Sequence, residues 1–221
     1  MDQYPYSNKD TSIVTREVPA NFGFKGNRNY VTGSDIYPAA LHIARELWER
    51  YPDEVMGTFH KLLKSQGIFR LRSGEKGNSS EDIYARFIFR FGESKHELVL
   101  NATNQPISDT RPYDEEDVLR FSEMSTKSIR MIVRSDYSYI EQIIAMTKRL
   151  HHVVYTDVHD KWLFTKLHIK DRIAPEDYCK SALEIRAERK IQNILSQSSI
   201  FVNDSPVGHI FYSAVSDGKQ S

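Results

Sequence analysis

Aspartates stand at two places where a β-like segment gives way to a helix. The first joint reads Val31-Thr32-Gly33-Ser34-Asp35-Ile36-Tyr37, and the second Val133-Arg134-Ser135-Asp136-Tyr137-Ser138-Tyr139. A carboxylate there can serve as general base toward water or as nucleophile on an acyl carbon. The first N–H groups of a helix have no intrahelical partner and can bind a developing oxyanion. The competing role for Asp35 and Asp136 is plain capping, worth about 1 kcal/mol. Tyr37, Tyr137 and Tyr139 fall in the first turn of the two helices. A buried phenol can donate to a substrate oxygen or order a water, or simply fill the core with its hydroxyl on a carbonyl. Glu141 is a second carboxylate if it points inward, and a surface residue otherwise. Chemistry is expected at the second helix start, where Asp136, Tyr137, Tyr139 and Glu141 gather within six positions. Asp35 and Tyr37 are the first-half counterparts.

Other candidates are weaker. Gly23-Phe24-Lys25-Gly26-Asn27-Arg28 offers backbone N–H groups and two cations that could wrap a phosphate. It is not a P-loop, and a glycine-rich bend is its default reading. His42 lies beside the apolar stripe of the first helix. His151 and His152 end the second, where an imidazolium would suit the helix dipole. With His159 beyond a loop they lack ligand spacing, so no metal is expected. Cys179 is the lone cysteine, which excludes an intrachain disulfide and any cysteine-based zinc cluster.

Composition narrows the classes further. Of 221 residues, 30 are Lys or Arg and 30 are Asp or Glu, so the formal charge is zero. That balance argues against nucleic acid or an anionic membrane as partner. No 18-residue apolar run exists, so no transmembrane helix is expected, and the polar first 20 residues argue against a signal peptide. The default expectation is a soluble, globular, cytoplasmic protein large enough to bury its own core.

The elements that must position these residues alternate between strand and helix periods. Residues 1–11 and 216–221 look like a loose leader and tail. Ser12 to Val18 is a β-rich segment, followed by a bent extended stretch through Gly23, Gly26 and Gly33. A helix over 35–50 carries Ile36, Ala40, Ile43, Leu47 and Trp48 on one face, with Pro38 in its first turn. A second helical run is expected after Pro52 from Val55, Met56, Phe59, Leu62 and Leu63. Residues 67–72, 84–91 and 97–101 alternate as strands. Residues 101–126 show no clear period and are read as a connection, in which Asp114–Asp117 is a solvated helix start. In the second half, 128–133 is a strand and 137–154 a helix striped by Ile140, Ile143, Ile144, Leu150 and Val154. Residues 162–169 form a strand, and Gln197 onward forms a terminal hairpin turning at Asn203–Pro206. Leu183 to Leu195 fits strand and helix about equally.

The two halves therefore echo each other in a joint, a helix and aromatic-rich strands. A long helix followed by antiparallel strands resembles the hotdog superfamily of acyl-thioester enzymes. The resemblance is carried mainly by residues 128–215, through KLHIKDRIAPEDYCKSALEIRAERKIQNILSQSSIFVNDSPVGHIFYSA. There Pro175 marks a step between strands, and Val202-Asn203-Asp204-Ser205-Pro206-Val207-Gly208 the turn into the last strand. The resemblance implies an α+β, double-hotdog chain with long helices cradled by antiparallel sheet. Its first half is 12–104, its connection 105–126 and its second half 127–215, with residues 50–66 as an insertion. It also implies that Leu183–Lys190 is a strand.

The implied activity is processing of an acyl thioester, foremost as a hydrolase, within fatty acid or polyketide metabolism. The histidine of an H-F-x-x-x-P dehydratase setting is absent from both halves, which disfavours a dehydratase. Lys25 and Arg28 would meet the phosphates of coenzyme A. No cofactor is implied beyond coenzyme A or phosphopantetheine as part of the substrate. The implied partners are that thioester and an acyl carrier protein, with a homodimer allowed. The rival readings are a catalytically silent acyl-binding or scaffold protein and a small-molecule-binding regulatory domain. The first is distinguished by whether a carboxylate faces the central cavity.

Overall fold

Runs of β-branched and aromatic residues at period two pair into one sheet. The computed structural model describes residues 13–73, 82–132, 136–156, 161–170, 178, 181–192 and 194–215. The leader, the tail, Ser135, His159, Pro175 and Cys179 lie outside them. The first half contains β1 (Ile13–Ala20), β2 (Phe24–Lys25), α1 (Gly33–Trp48), β3 (Glu54–Phe59), β4 (Ser65–Ser73), β5 (Ile83–Phe91) and β6 (Ser94–Pro106). The stretch read as a connection holds the end of β6, then β7 (Thr110–Arg111), α2 (Glu115–Leu119) and β8 (Ser122–Met124). The second half follows with β9 (Ser128–Met131), α3 (Tyr139–Val154), β10 (Lys161–Ile169), β11 (Leu183–Ile191), β12 (Leu195–Val202) and β13 (Ser205–Val215).

Eleven strands form an antiparallel sheet in the order β1-β4-β6-β5-β3-β10-β13-β12-β11-β9-β8. The two strands that follow the long helices, β3 and β10, pair with each other in its middle, with Leu167 opposite Gly57. The halves differ in their hairpins. In the second, β11, β12 and β13 pair in chain order, whereas in the first β4 pairs with β6 and β5 with β3.

The 16-residue helices α1 and α3 each bury one stripe, Ile36, Tyr37, Ala40, Leu41, Ile43 and Ala44 on α1 and Ile140, Ile143, Ala145, Met146 and Leu150 on α3. They cover the sheet face formed by Phe87, Phe89, Leu98, Ile185, Ile200 and Ile210, all fully buried. The result is an α+β arrangement of one large antiparallel sheet and few helices.

Two local expectations are corrected and one open choice is decided. The segment after Pro52 is strand β3, so residues 50–66 are no insertion. Val55 and Gly57 point inward at period two, and pairing on both edges satisfies the backbone in a way an isolated amphipathic turn cannot. Leu183 to Ile191 is strand β11, held between β9 and β12, which resolves the even choice left by its period. Pro38 lies in the second turn of α1, because that helix begins at Gly33.

The β12–β13 hairpin turns on Asn203 and Asp204 with φ of 49° and 64°, the paired positive values of a two-residue hairpin turn. Just beyond it Gly208 faces Ile169, and a Cβ there would lie 2.1 Å from the His168 carbonyl oxygen. That neighbour is backbone and cannot rotate away. Gly208→Ala is therefore expected to destabilise by about 1–3 kcal/mol, as overpacking does. A denaturation midpoint unchanged by the substitution would mean that β10 and β13 separate freely.

Candidate functional site

The site is built where the two helices start. Strand β2 pairs in parallel with β7, aligning Lys25 with Arg111. Gly26, at φ 54°, then turns the chain back, and the Val31 N–H bonds the Leu63 carbonyl at 2.8 Å. This geometry drives the Lys25 side chain inward between α1 and α3, where it is 1% exposed.

Both helices open with a hydroxyl residue and, three residues later, a carboxylate: Thr32-Gly33-Ser34-Asp35 and Ser138-Tyr139-Ile140-Glu141. Thr32 Oγ1 donates to Asp35 Oδ2, and Ser138 Oγ to Glu141 Oε2, each at 2.6 Å. At α3 the reciprocal backbone bonds complete a capping box. At α1 the Thr32 side chain accepts no cap bond. The other oxygen of each carboxylate meets Lys25 Nζ, Asp35 Oδ1 at 3.0 Å and Glu141 Oε1 at 2.6 Å. Lys25 also donates to Ser34 Oγ at 2.7 Å, and Arg111 closes a further ion pair on Asp35. One ammonium thus fastens together two helix N-termini, each of which favours its own carboxylate through the helix dipole.

Burial pulls Lys25 down to about 8, against the opposing pull of Glu141. Burial also acts to raise Glu141, but hydrogen bonds from Lys25 and Ser138 outweigh it and hold that carboxyl below its usual range.

The other expected site residues have different places. Asp136 is exposed and lies two residues before the Ser138 cap, so it neither caps α3 nor joins the ionic cluster. The Ser138–Glu141 box starts the helix later than expected, and Glu141 takes the place assigned to Asp136. Tyr137, ahead of the cap, donates its hydroxyl to Asp117 Oδ2 at 3.1 Å. Tyr37 and Tyr139 meet edge to face, 6.3 Å between centroids, and Tyr139 stacks on Tyr178 at 4.4 Å. Burial pushes the Tyr37 phenol up to about 12 and raises Tyr139 well above its ordinary value, so both stay protonated and link α1 to α3 as core aromatics. Lys25 is committed to Ser34, Asp35 and Glu141 and cannot reach outward to a phosphate. Arg28, at the surface, pairs with Glu115 at 3.3 Å and lies over the Tyr113 ring. Glu115, part of the acidic run read as a solvated helix start, also binds Lys148 at 2.9 Å.

A cavity of 640 Å³ opens between the start of α1 and strand β10. Lys25, Thr32, Gly33 and Ser34 line it on the first-half side, and Phe164, Tyr212 and Ile144 on the second. Arg28, Lys61, Lys148 and Lys161 also line it, with Glu115 as the opposing charge. The aromatic wall includes Phe59 and Phe164, 4.6 Å apart between centroids. A Cβ on Gly33 would fall 2.4 Å from the Phe164 ring, so α1 can begin this close to β10 only with glycine there. Asp35 lies away from this cavity and lines a second one of 360 Å³, with Arg111, Asp109 and Phe22. Among the described residues, no three of His, Cys, Asp and Glu come together as a metal set, and no helix is long and apolar enough to cross a membrane.

Thr32, Ser138 and Arg111 belong to the site without having been singled out from sequence. A signal existed for Thr32 and Ser138: both joints carry the [Ser/Thr]-x-x-[Asp/Glu] spacing of a helix start. Pairing the halves by their Ser-Asp dipeptides hid it, because the equivalent carboxylates are Asp35 and Glu141.

No protein-family model and no curated protein matches the sequence. Among solved structures, the chain is similar to the tesB protein of Mycobacterium avium subspecies paratuberculosis, at 13% identity and TM-score 0.48, over 89% of this chain and 91% of that one. It is similar to the dehydratase domain of PpsC from Mycobacterium tuberculosis, described in complex with C12:1-CoA, at 10% identity and TM-score 0.49, over 90% and 92%. A monomeric dehydratase domain from a trans AT polyketide synthase split module is similar at 9% identity and TM-score 0.46, over 90% and 100%.

Proposed function

We propose that this chain is a double hotdog that hydrolyses an acyl thioester in the cavity between its halves. The observation that carries the reading is the make-up of that 640 Å³ space: a helix N-terminus in its lining, an aromatic wall and several cations. The Thr32 hydroxyl is turned to Asp35, which leaves the first N–H groups of α1 to polarise a thioester carbonyl. The acyl chain lies along Phe59, Phe164 and Trp162. Arg28, Lys61, Lys148 and Lys161 receive the phosphates of coenzyme A or of the phosphopantetheine on an acyl carrier protein. The cytoplasm is the compartment this substrate class fits.

One observation favours the silent acyl-binding reading: Lys25 neutralises the two buried carboxylates, and Asp35 and Glu141 do not line this cavity. Thiol release from coenzyme A esters of two to sixteen carbons separates the two. Hydrolysis is expected to show turnover with a preferred chain length, and to slow when Arg28→Glu reverses one rim charge. Saturable binding of an acyl-coenzyme A without thiol release at any length would establish the binding protein instead.

A further inference from the structure

Ser34 is a buried hydroxyl that lines the cavity and is wired on both sides. Its oxygen accepts from the Lys25 ammonium at 2.7 Å and lies 2.8 Å from Thr32 Oγ1. The donors can be counted. Asp35 is an acceptor only, so the 2.6 Å bond from Thr32 to Asp35 Oδ2 uses the Thr32 proton. In the contact between the two hydroxyls, Ser34 must then donate. The result is a directed chain, Ser34 to Thr32 to Asp35, with a positive charge on the oxygen at its head. Capping needs no such chain, since Thr32 already occupies the N-cap position and its side chain does not cap.

We propose that Ser34 is the nucleophile of this cavity and takes the acyl group of the thioester, with Thr32 relaying its proton to Asp35. The inference rests on the acyl-thioester reading above and adds the residue that forms the covalent bond. In the first step Ser34 Oγ bonds the acyl carbon while its proton passes to Thr32, and the Thr32 proton passes to Asp35 Oδ2. The Lys25 ammonium, held by Asp35 and Glu141, stabilises the developing alkoxide. The N–H groups at the start of α1 stabilise the tetrahedral oxyanion. The carbon–sulfur bond then breaks; Asp35 returns its proton to Thr32, whose own hydroxyl proton passes at the cavity wall to the thiolate, which leaves as thiol. In the second step water adds to the Ser34 ester. Thr32 takes one water proton and passes its own to Asp35, the pair then returns a proton to Ser34 Oγ as the ester bond breaks, and the carboxylic acid is released. Asp35 thus reaches the cavity through Thr32 although it does not line it. Asp35 is a positioning residue that acts through Thr32, whereas Ser34 forms the bond to the acyl carbon and Thr32 carries the protons at the cavity wall.

The test uses the full chain with acetyl-, hexanoyl- and dodecanoyl-coenzyme A, followed by thiol release and by mass spectrometry of rapidly quenched protein. The expected result is one acyl group per chain, mapped to the peptide that contains Ser34. Ser34→Ala should abolish the adduct and lower turnover about 100-fold or more. Ser34→Cys keeps a nucleophile of similar size and should still take the acyl group, which controls for folding. Thr32→Val should slow adduct formation at least about tenfold, and Thr32→Ser should restore it, because only the hydroxyl matters to the relay. Wild-type turnover matched by Ser34→Ala would overturn the nucleophile and leave hydrolysis standing, with water attacking directly. Absence of both thiol release and adduct in the wild type would overturn hydrolysis and the nucleophile together. An adduct lost in Thr32→Val and not regained in Thr32→Ser would overturn the relay.

Discussion

Lys25→Met is expected to destabilise the protein by about 3–5 kcal/mol, the usual result of removing one partner of a buried ion pair. The substitution leaves Asp35 and Glu141 facing each other, with side chains 6% and 15% exposed, and only Arg111 near one of them. The loss comes mostly from stranded charge and little from the intrinsic strength of the bridge. Burial pulls Lys25 down to about 8 even with two carboxylates beside it, so desolvating the ammonium offsets much of its attraction. It follows that Lys25→Met combined with Asp35→Asn and Glu141→Gln should recover most of the lost stability, because no charge then remains stranded. Urea midpoints of the single and triple variants measure this. A triple variant as unstable as Lys25→Met would mean that the bridge itself, rather than the unpaired carboxylates, sets the difference.

Acid should unfold this protein well before its carboxylates are exhausted. His151 is fully buried on the inner side of α3, against Tyr155, Trp162 and Tyr212. Its Nε2 contacts the hydroxyls of Ser196 at 3.2 Å and Ser198 at 3.4 Å, both of which can donate to a neutral ring. Burial first, and then the charge of His152, pulls the imidazole down to about 3. The unfolded chain protonates near the ordinary value of 6.5, and the folded one does not until about 3. Between those values the unfolded state holds a proton that the folded state lacks. His151 therefore contributes stability that is fully present above pH 6.5 and is lost as the pH falls toward 3, at about 1.4 kcal/mol per unit.

From pH 6.5 to 4.5 the expected loss is about 2–3 kcal/mol. Glu54, held down by His168 and Arg90, and Glu141 add their own acid losses at lower pH, below the usual carboxylate range. His151→Gln removes the titration while retaining an amide that can bond the two serines. Its stability should be lower at pH 7 but fall less steeply than that of the wild type from 6.5 to 4.5, the remaining slope coming from His60, His96 and His209, which burial also pulls down. Parallel pH profiles for wild type and variant would show that His151 ionises without opposing the fold.

The periods of the chain were legible wherever burial is one-sided. Helices over Gly33–Trp48 and Tyr139–Val154 follow from stripes three and four residues apart, and β13 from plain alternation, whereas in β10 a bulge between Phe164 and Lys166 breaks the alternation of Leu163, Thr165, Leu167 and Ile169 and buries Trp162. Local period misleads or stays undecided where a segment has neighbours on both edges. Val55, Met56 and Phe59 suit a helix by spacing, yet β3 has neighbours on both edges. Leu183 to Ile191 mixes charged and apolar residues in a way both periods tolerate, and pairing with β9 and β12 decides it. Pairing partners are distant in sequence, so local propensity carries no record of them.

The same division runs through the site. The sequence by itself determined that carboxylates and tyrosines cluster at two helix starts, because capping chemistry is local and its residues are neighbours in the chain. It also placed Lys25 and Arg28 on a glycine-bearing bend. Only the tertiary structure decided which carboxylates matter. Asp35 and Glu141 are 106 positions apart and meet through an ammonium carried on a third segment, whose direction depends on two residues of β2 paired with β7. Whether Lys25 faces water or the core changes its chemistry completely, from a free surface cation to a buried one shared by two acids. That choice is made by a turn at Gly26 and a long-range β pairing, neither of which leaves a periodic trace in the sequence.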